Sequence, residues 1–146
     1  MLRLAAFSTT ALTLSLSAVS AAPAVGLVGD KTLVMFDTDT LTVSGTMDVS
    51  GVDGLLGLDL RPSNNTLVGV TPDMVIVRID LATGAATEMA TMDTPLPLGD
   101  MPVIVDFNPM ADKLRFMTGT TNHRVDVDTG AVTVDGSLDW KEGDMH

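Results

Sequence analysis

Two short stretches decide the fold because each occurs twice. Ile79-Asp80-Leu81-Ala82-Thr83-Gly84 returns 46 residues later as Val125-Asp126-Val127-Asp128-Thr129-Gly130. Leu58-Asp59-Leu60-Arg61-Pro62 returns 47 residues later as Val105-Asp106-Phe107-Asn108-Pro109, and the same offset places Asn65-Thr66-Leu67 on Asp112-Lys113-Leu114. A weaker copy, Phe36-Asp37-Thr38-Asp39-Thr40, stands 43 residues before Ile79 to Thr83. A period in the forties that holds four short strands is the pattern of propeller blades, roughly 40–45 residues in one common type and about 50 in another.

Outward from these repeats the chain alternates β-rich runs with Gly, Pro, Asn and Asp. Val, Ile, Leu, Thr and Met dominate the runs, and the turn residues bound them. One blade reads as Leu55–Leu60, Leu67–Val70, Val75–Asp80 and Ala86–Met89. The next reads as Val103–Phe107, Lys113–Met117, His123–Val127 and Val132–Val134. Before them, Val25–Val28, Thr32–Asp37 and Thr42–Met47 form a unit without an innermost strand. No stretch after residue 22 sustains a 3.6-residue apolar period with caps, so the expected class is all-β. The expected architecture is β-propeller-like: four-stranded antiparallel blades at 55–92 and 103–136 and a partial blade at 25–50, in an incomplete ring.

Of the 146 residues 45% are apolar and 18% charged, enough for one domain with a real core. The net charge of −11 lacks the basic footprint by which proteins hold nucleic acid or anionic lipid. Cys is absent, which excludes disulfides, thiolate metal sites and cysteine nucleophiles. Tyr is absent and Trp140 is the only Trp, a poor basis for stacking bases or sugars. Arg3, the uncharged run Leu4 to Leu16 and the small residues Ala18 to Ala22 form the pattern of a secretory signal. Ser and Thr dilute the run, which reads as a cleaved segment 1–21 and not as a membrane anchor, leaving a domain over 22–146 with no stable span. The expected address is secreted or periplasmic, and the short Arg-led signal looks bacterial.

The repeated Asp59 and Asp106 sit on innermost strands, where alternation puts Asp59 on a face with Arg61 and Asp106 with Asn108. They are the candidate metal residues, as oxygen ligands that would suit calcium. The competing reading is structural: an Asp that accepts backbone N–H bonds or pairs with Arg61, copied because the unit is copied. The turns at Asp37/Asp39, Asp80 and Asp126/Asp128 have the form Asp, then Thr three residues on, then usually Gly. An Asp side chain closes such a turn on the backbone, and Gly supplies positive φ, so hairpin chemistry is preferred to metal binding. His123 has no sequence-adjacent nucleophile or orienting partner and reads as a surface residue, while His146 ends the chain. No nucleophile elbow, HExxH or phosphate-cradling loop is present. The scattered Met residues read as core filler.

Leu55 to Pro62 with Thr66 to Val70, then Arg78 to Thr87, then Val105 to Arg115 resemble the bacterial domain-of-unknown-function family 4394. The similarity spans about residues 25 to 144 and departs at Phe116 to Gly119 and in the last few residues. The resemblance implies an exported chain of propeller-like repeats, with further repeats beyond this point, and carries no catalytic residue to transfer.

The expected function is that of an exported non-enzymatic module that binds a protein or a small ligand or builds the cell envelope. The alternative is a calcium-dependent propeller hydrolase or lactonase with carboxylates such as Asp59 and Asp106 at a channel mouth, a reading from fold analogy. An incomplete ring is expected to expose an apolar face on both end sheets and therefore to self-associate.

Overall fold

A computed structural model describes residues 23–138. The proposed signal at 1–21, Trp140 and His146 lie outside the described residues. Eleven strands are described, and no helix. They are β1 (Pro23–Val28), β2 (Thr32–Asp37), β3 (Val43–Asp48), β4 (Gly57–Arg61), β5 (Thr66–Val70), β6 (Val75–Ile79), β7 (Ala86–Thr91), β8 (Val103–Asn108), β9 (Lys113–Thr118), β10 (Thr121–Val125) and β11 (Val132–Val134). They form three antiparallel meanders, β1-β2-β3, β4-β5-β6-β7 and β8-β9-β10-β11, and none closes on itself. The all-β expectation is met, as is a three-stranded first unit followed by two four-stranded units.

The sheets stack because one alone could not bury its apolar faces. Alternation along β5 and β6 sends Leu67, Val77 and Ile79 into a core shared with Leu33, Val25, Leu27, Met35 and Met47 of the first sheet. The opposite face sends Val68, Val70 and Ile76 into a second core with Phe107, Leu114, Phe116 and Val125 of the third. The middle sheet is therefore apolar on both sides. Val68, Val70, Ile76, Leu114, Phe116 and Val125 are wholly buried, and such side chains each contribute about 1.5–3 kcal/mol.

The chain steps between sheets by one recurring joint. After β3, the Ser50 N–H donates to the Gly84 carbonyl at 2.9 Å and the Ala86 N–H donates to the Ser50 carbonyl at 2.9 Å. After β7, the Asp93 N–H donates to the Gly130 carbonyl at 3.0 Å, and Asp93 Oδ1 accepts from the Val132 N–H at 3.1 Å. Gly84 and Gly130 have φ of +73° and +75°. A Cβ would lie 2.6 Å from the Asp48 carbonyl oxygen at Gly84 and 2.0 Å from that of Thr91 at Gly130. The glycine of the repeated turn thus serves its hairpin and also the close approach of the preceding sheet.

Two expectations need correction. The third strand of the last unit was expected over His123–Val127 but runs Thr121–Val125. Asp126 Oδ1 accepts from the Asp128 and Thr129 N–H groups and ends the strand at Val125. Gly119, at φ +54°, makes a two-residue turn that starts pairing at Thr121 opposite Thr118. An apolar outer face was expected on both end sheets, and only the first sheet has one. Ala24, Gly26, Val34 and Phe36 share its outer face, rimmed by the exposed Val28 and Val43. The outer face of the third sheet carries Asp106, Arg115 and Arg124 in one cross-strand row beside Asn122 and Lys113. Arg115 stands where the middle sheet has Val68, and Asn122 where it has Ile76. Ile104 and Met117 are the apolar residues there.

Replacing Gly130 by Ala should cost about 3 kcal/mol, since positive φ and backbone collision add. Gly84→Ala should cost less, and Gly29→Ala, with open space around it, about 1 kcal/mol. Urea unfolding of the three variants tests this ranking.

Candidate functional site

Polar chemistry concentrates where β4 meets the third sheet. Asp59 and Arg61 lie on the β4 face turned to that sheet, as alternation requires. Asp59 Oδ2 accepts from the Phe107 N–H at 2.7 Å, and Oδ1 accepts from the Leu60 N–H at 2.8 Å. Phe107 lies on the edge strand β8, whose outward N–H groups would otherwise be left to solvent or to another chain. The structural reading of Asp59 as a backbone acceptor holds. Its suggested pairing with Arg61 does not.

Arg61 instead reaches across the joint. Nε and Nη2 donate to Asp112 at 2.9 and 2.7 Å, while Nη1 and Nη2 donate to Asp128, both at 2.9 Å. Its side chain is only 11% exposed. Two forked contacts satisfy the planar guanidinium, which desolvation would otherwise penalise. Asp112 also accepts from the Ser63 hydroxyl at 2.9 Å. These bonds hold the Asp112 carboxyl below its ordinary range, Arg61 contributing most, and raise the Arg61 pKa further. The sequence carried a signal for this clamp. Along the repeat Arg61 aligns with Asn108, Asp112 with Asn65 and Asp128 with Ala82. Complementary charge therefore appears at one joint and at neither equivalent set.

The acidic turns are hairpin devices, as expected. Asp37, Asp80 and Asp126 each accept, through Oδ1, from the N–H groups two and three residues ahead. The Asp37 and Asp80 carboxyls are held low chiefly by those backbone donors, and Asp126 chiefly by Lys113. Asp106 is exposed on the face of the third sheet that turns away from Asp59, so the two candidate metal residues are not brought into one site. Among the described residues no group of three or more His, Cys, Asp or Glu is arranged to hold a metal ion.

His123 is not a surface residue. It is 2% exposed, lies opposite Phe116 on the face packed against the middle sheet, and occupies the place of Val77 in the repeat. Its Nδ1 is buried without a hydrogen-bond partner, and burial lowers its pKa despite the nearby Asp135.

A cleft of about 630 Å³ opens between the β3–β4 link and the middle sheet. The β3–β4 link supplies Val52 and Asp53, the β5–β6 turn Thr71 and Asp73, and the strands Val75, Val77, Ala86 and Glu88. The floor is apolar and the rim holds three exposed acids. Thr71 closes its own turn, its hydroxyl accepting from the Val75 N–H at 3.1 Å. Sequence reading missed this site, whose acids come from three separated segments with no motif spacing. Strand register alone puts Glu88 beside Val77.

Fold and joints together define a class: an all-β repeat protein whose antiparallel sheets stack face to face and are locked at acidic turns. Residues 32–146 match the family described as domain of unknown function (DUF4394), and the chain belongs to that family. Among curated proteins none matches.

Arg61→Ala should cost about 2 kcal/mol, a partly buried clamp discounted for the exposure of its acids. Carboxyls held below 3.8 stabilise the fold above that pH and lose the contribution as pH falls through their folded values. Arg61→Ala should therefore weaken the steep acid loss below about pH 4. His123 titrates below its ordinary 6.5, so its neutral form favours folding and stability declines as pH falls from 6.5 toward the folded value. His123→Val should abolish that shallow step. Melting curves from pH 3 to 8 (about the range these groups span) would contradict the account if the step persisted.

Proposed function

We propose that the protein is an exported, non-enzymatic module of the β-propeller type that acts by binding, with the acidic cleft between the β3–β4 link and the middle sheet as its ligand site. One observation carries this reading: the cleft joins an apolar floor to an acidic rim, while the strongly engaged carboxylates elsewhere are committed to turns and to Arg61. A pocket of this kind suits a small ligand with an apolar body and a cationic head. Export rests on the charged start, uncharged run and small-residue end of Met1 to Ala22. The propeller reading rests on the repeat period and on the face-to-face packing of successive meanders.

The calcium-dependent hydrolase is the weaker reading, since Asp59 spends both oxygens on backbone N–H groups and Asp106 lies on another face. Benzyltrimethylammonium should raise the melting temperature of the chain. Asp53→Asn combined with Glu88→Gln should weaken its binding about tenfold while leaving the unliganded melting temperature unchanged. Calcium should not raise the melting temperature, and a generic lactone or ester should not be turned over. Calcium stabilisation that Asp59→Ala abolishes, together with ester turnover, would overturn the proposal.

A further inference from the structure

Equivalent places in the two links between sheets carry opposite chemistry. Ser50 and Asp93 make the same joint, each donating its N–H to the glycine carbonyl of a repeated turn. Three residues on, the β3–β4 link has Asp53, exposed at the cleft. The β7–β8 link has Leu96 there, 2% exposed in the core between the middle and third sheets. Leu55, the buried leucine at the end of the first link, packs over Gly69 and lies outside the cleft lining. Glu88, opposite Val77 in the ladder, stands where the third sheet has Val134 opposite His123. The offset between equivalents is 43 at Ser50 and Asp93 and 47 at Leu58 and Val105, so the first link is four residues shorter. One interface is thus closed by the protein's own leucine, and the other is left open and acidic.

A further equivalence identifies what kind of ligand fills the space. Thr118, at the end of β9, donates its hydroxyl to the Met101 carbonyl of the longer link at 3.4 Å. Thr71 is its counterpart 47 residues earlier. It lines the cleft and is 8% exposed. Its hydroxyl oxygen accepts from the Val75 N–H, and its hydrogen has no acceptor among the described residues. A buried hydroxyl hydrogen calls for an acceptor, and at the other interface that acceptor is a backbone carbonyl.

We propose that the cleft binds a short extended peptide with a leucine beside a lysine. The leucine packs on Val75, Val77 and Ala86 in the role that Leu96 has at the other interface. The lysine ammonium meets Asp53 and Glu88, and a peptide carbonyl accepts from the Thr71 hydroxyl. A small quaternary ammonium would suit the acids and the floor but offers Thr71 no acceptor. An acidic peptide would meet like charge on the rim. The inference rests on the reading of the cleft as the ligand site and names the class of ligand.

The probe is acetylated, amidated Thr-Pro-Leu-Lys, the sequence of Thr94 to Leu96 with a lysine added. It is titrated by calorimetry into the full chain beside benzyltrimethylammonium. Replacing the probe's leucine by alanine should weaken binding about tenfold or more, and replacing its lysine by glutamate should abolish it. Thr71→Val should weaken the peptide about fivefold and leave benzyltrimethylammonium unchanged, while Thr71→Ser should restore the peptide. Asp53→Leu, which supplies the missing leucine from the chain itself, should block the peptide. Binding of benzyltrimethylammonium without the peptide overturns this inference and leaves the cleft a site for small cations. Equal binding of the leucine and alanine probes, equal loss of both ligands in Thr71→Val, or undiminished peptide binding by Asp53→Leu also overturns it. Binding of neither ligand removes the cleft as a site, and both readings with it.

Discussion

A buried guanidinium needs a full set of acceptors, and in this protein the acceptors of Arg61 lie in the neighbouring sheet. Two carboxylates from two different turns take four of its donor contacts. The requirement is geometric as well as electrostatic, because forked contacts tolerate little rotation of one sheet against the other. Asp59 adds a backbone contact two residues away on the same face. The apolar core between these sheets supplies most of the favourable free energy but little direction. Register between the layers comes from the polar inner edge and, at the opposite edge, from glycines too close to the preceding backbone to carry a side chain.

Strands and turns were legible in the sequence because their causes are local. An Asp closes a turn on the N–H groups two and three residues ahead whatever lies beyond, and the repeat marks each instance. Two of the errors have a different cause. His123 looked like a surface residue because its burial depends on the sheet stacked over it, and only its alignment with Val77 hinted at that. Asp59 had two structural readings, as an acceptor of backbone N–H bonds or as a partner of Arg61 on its strand face; the first holds, and both side chains serve the next sheet. The apolar face expected on the third sheet required its outer side to copy the middle one, and Arg115 and Asn122 replace Val68 and Ile76 there. The cleft was invisible for the same reason. Its acids converge only after the β3–β4 link, the β5–β6 turn and β7 have been packed together.

The distribution of charge connects fold to function. The chain holds 8 basic side chains against 19 acidic ones, and Arg61, Lys113 and Arg124 are committed to ion pairs. Among the described residues, Asp53, Asp73 and Glu88 around the cleft take part in none of these pairs. A surface of that kind disfavours anionic partners and draws cationic ones. The two end sheets differ as well, one apolar outside and the other bearing a row of charged groups. That asymmetry gives the described stack one apolar and one polar outer face.

The central claim is that side chains of one sheet complete the inner edge of the next. Native-state hydrogen exchange at the Phe107 amide tests it most directly. That N–H faces outward from an edge strand and should exchange quickly unless Asp59 holds it. The account predicts protection of Phe107 close to that of the interior strands β5 and β6, and a selective loss of that protection in Asp59→Ala while β5 and β6 stay protected. A Phe107 amide that exchanges as fast in the native protein as in the variant would contradict it.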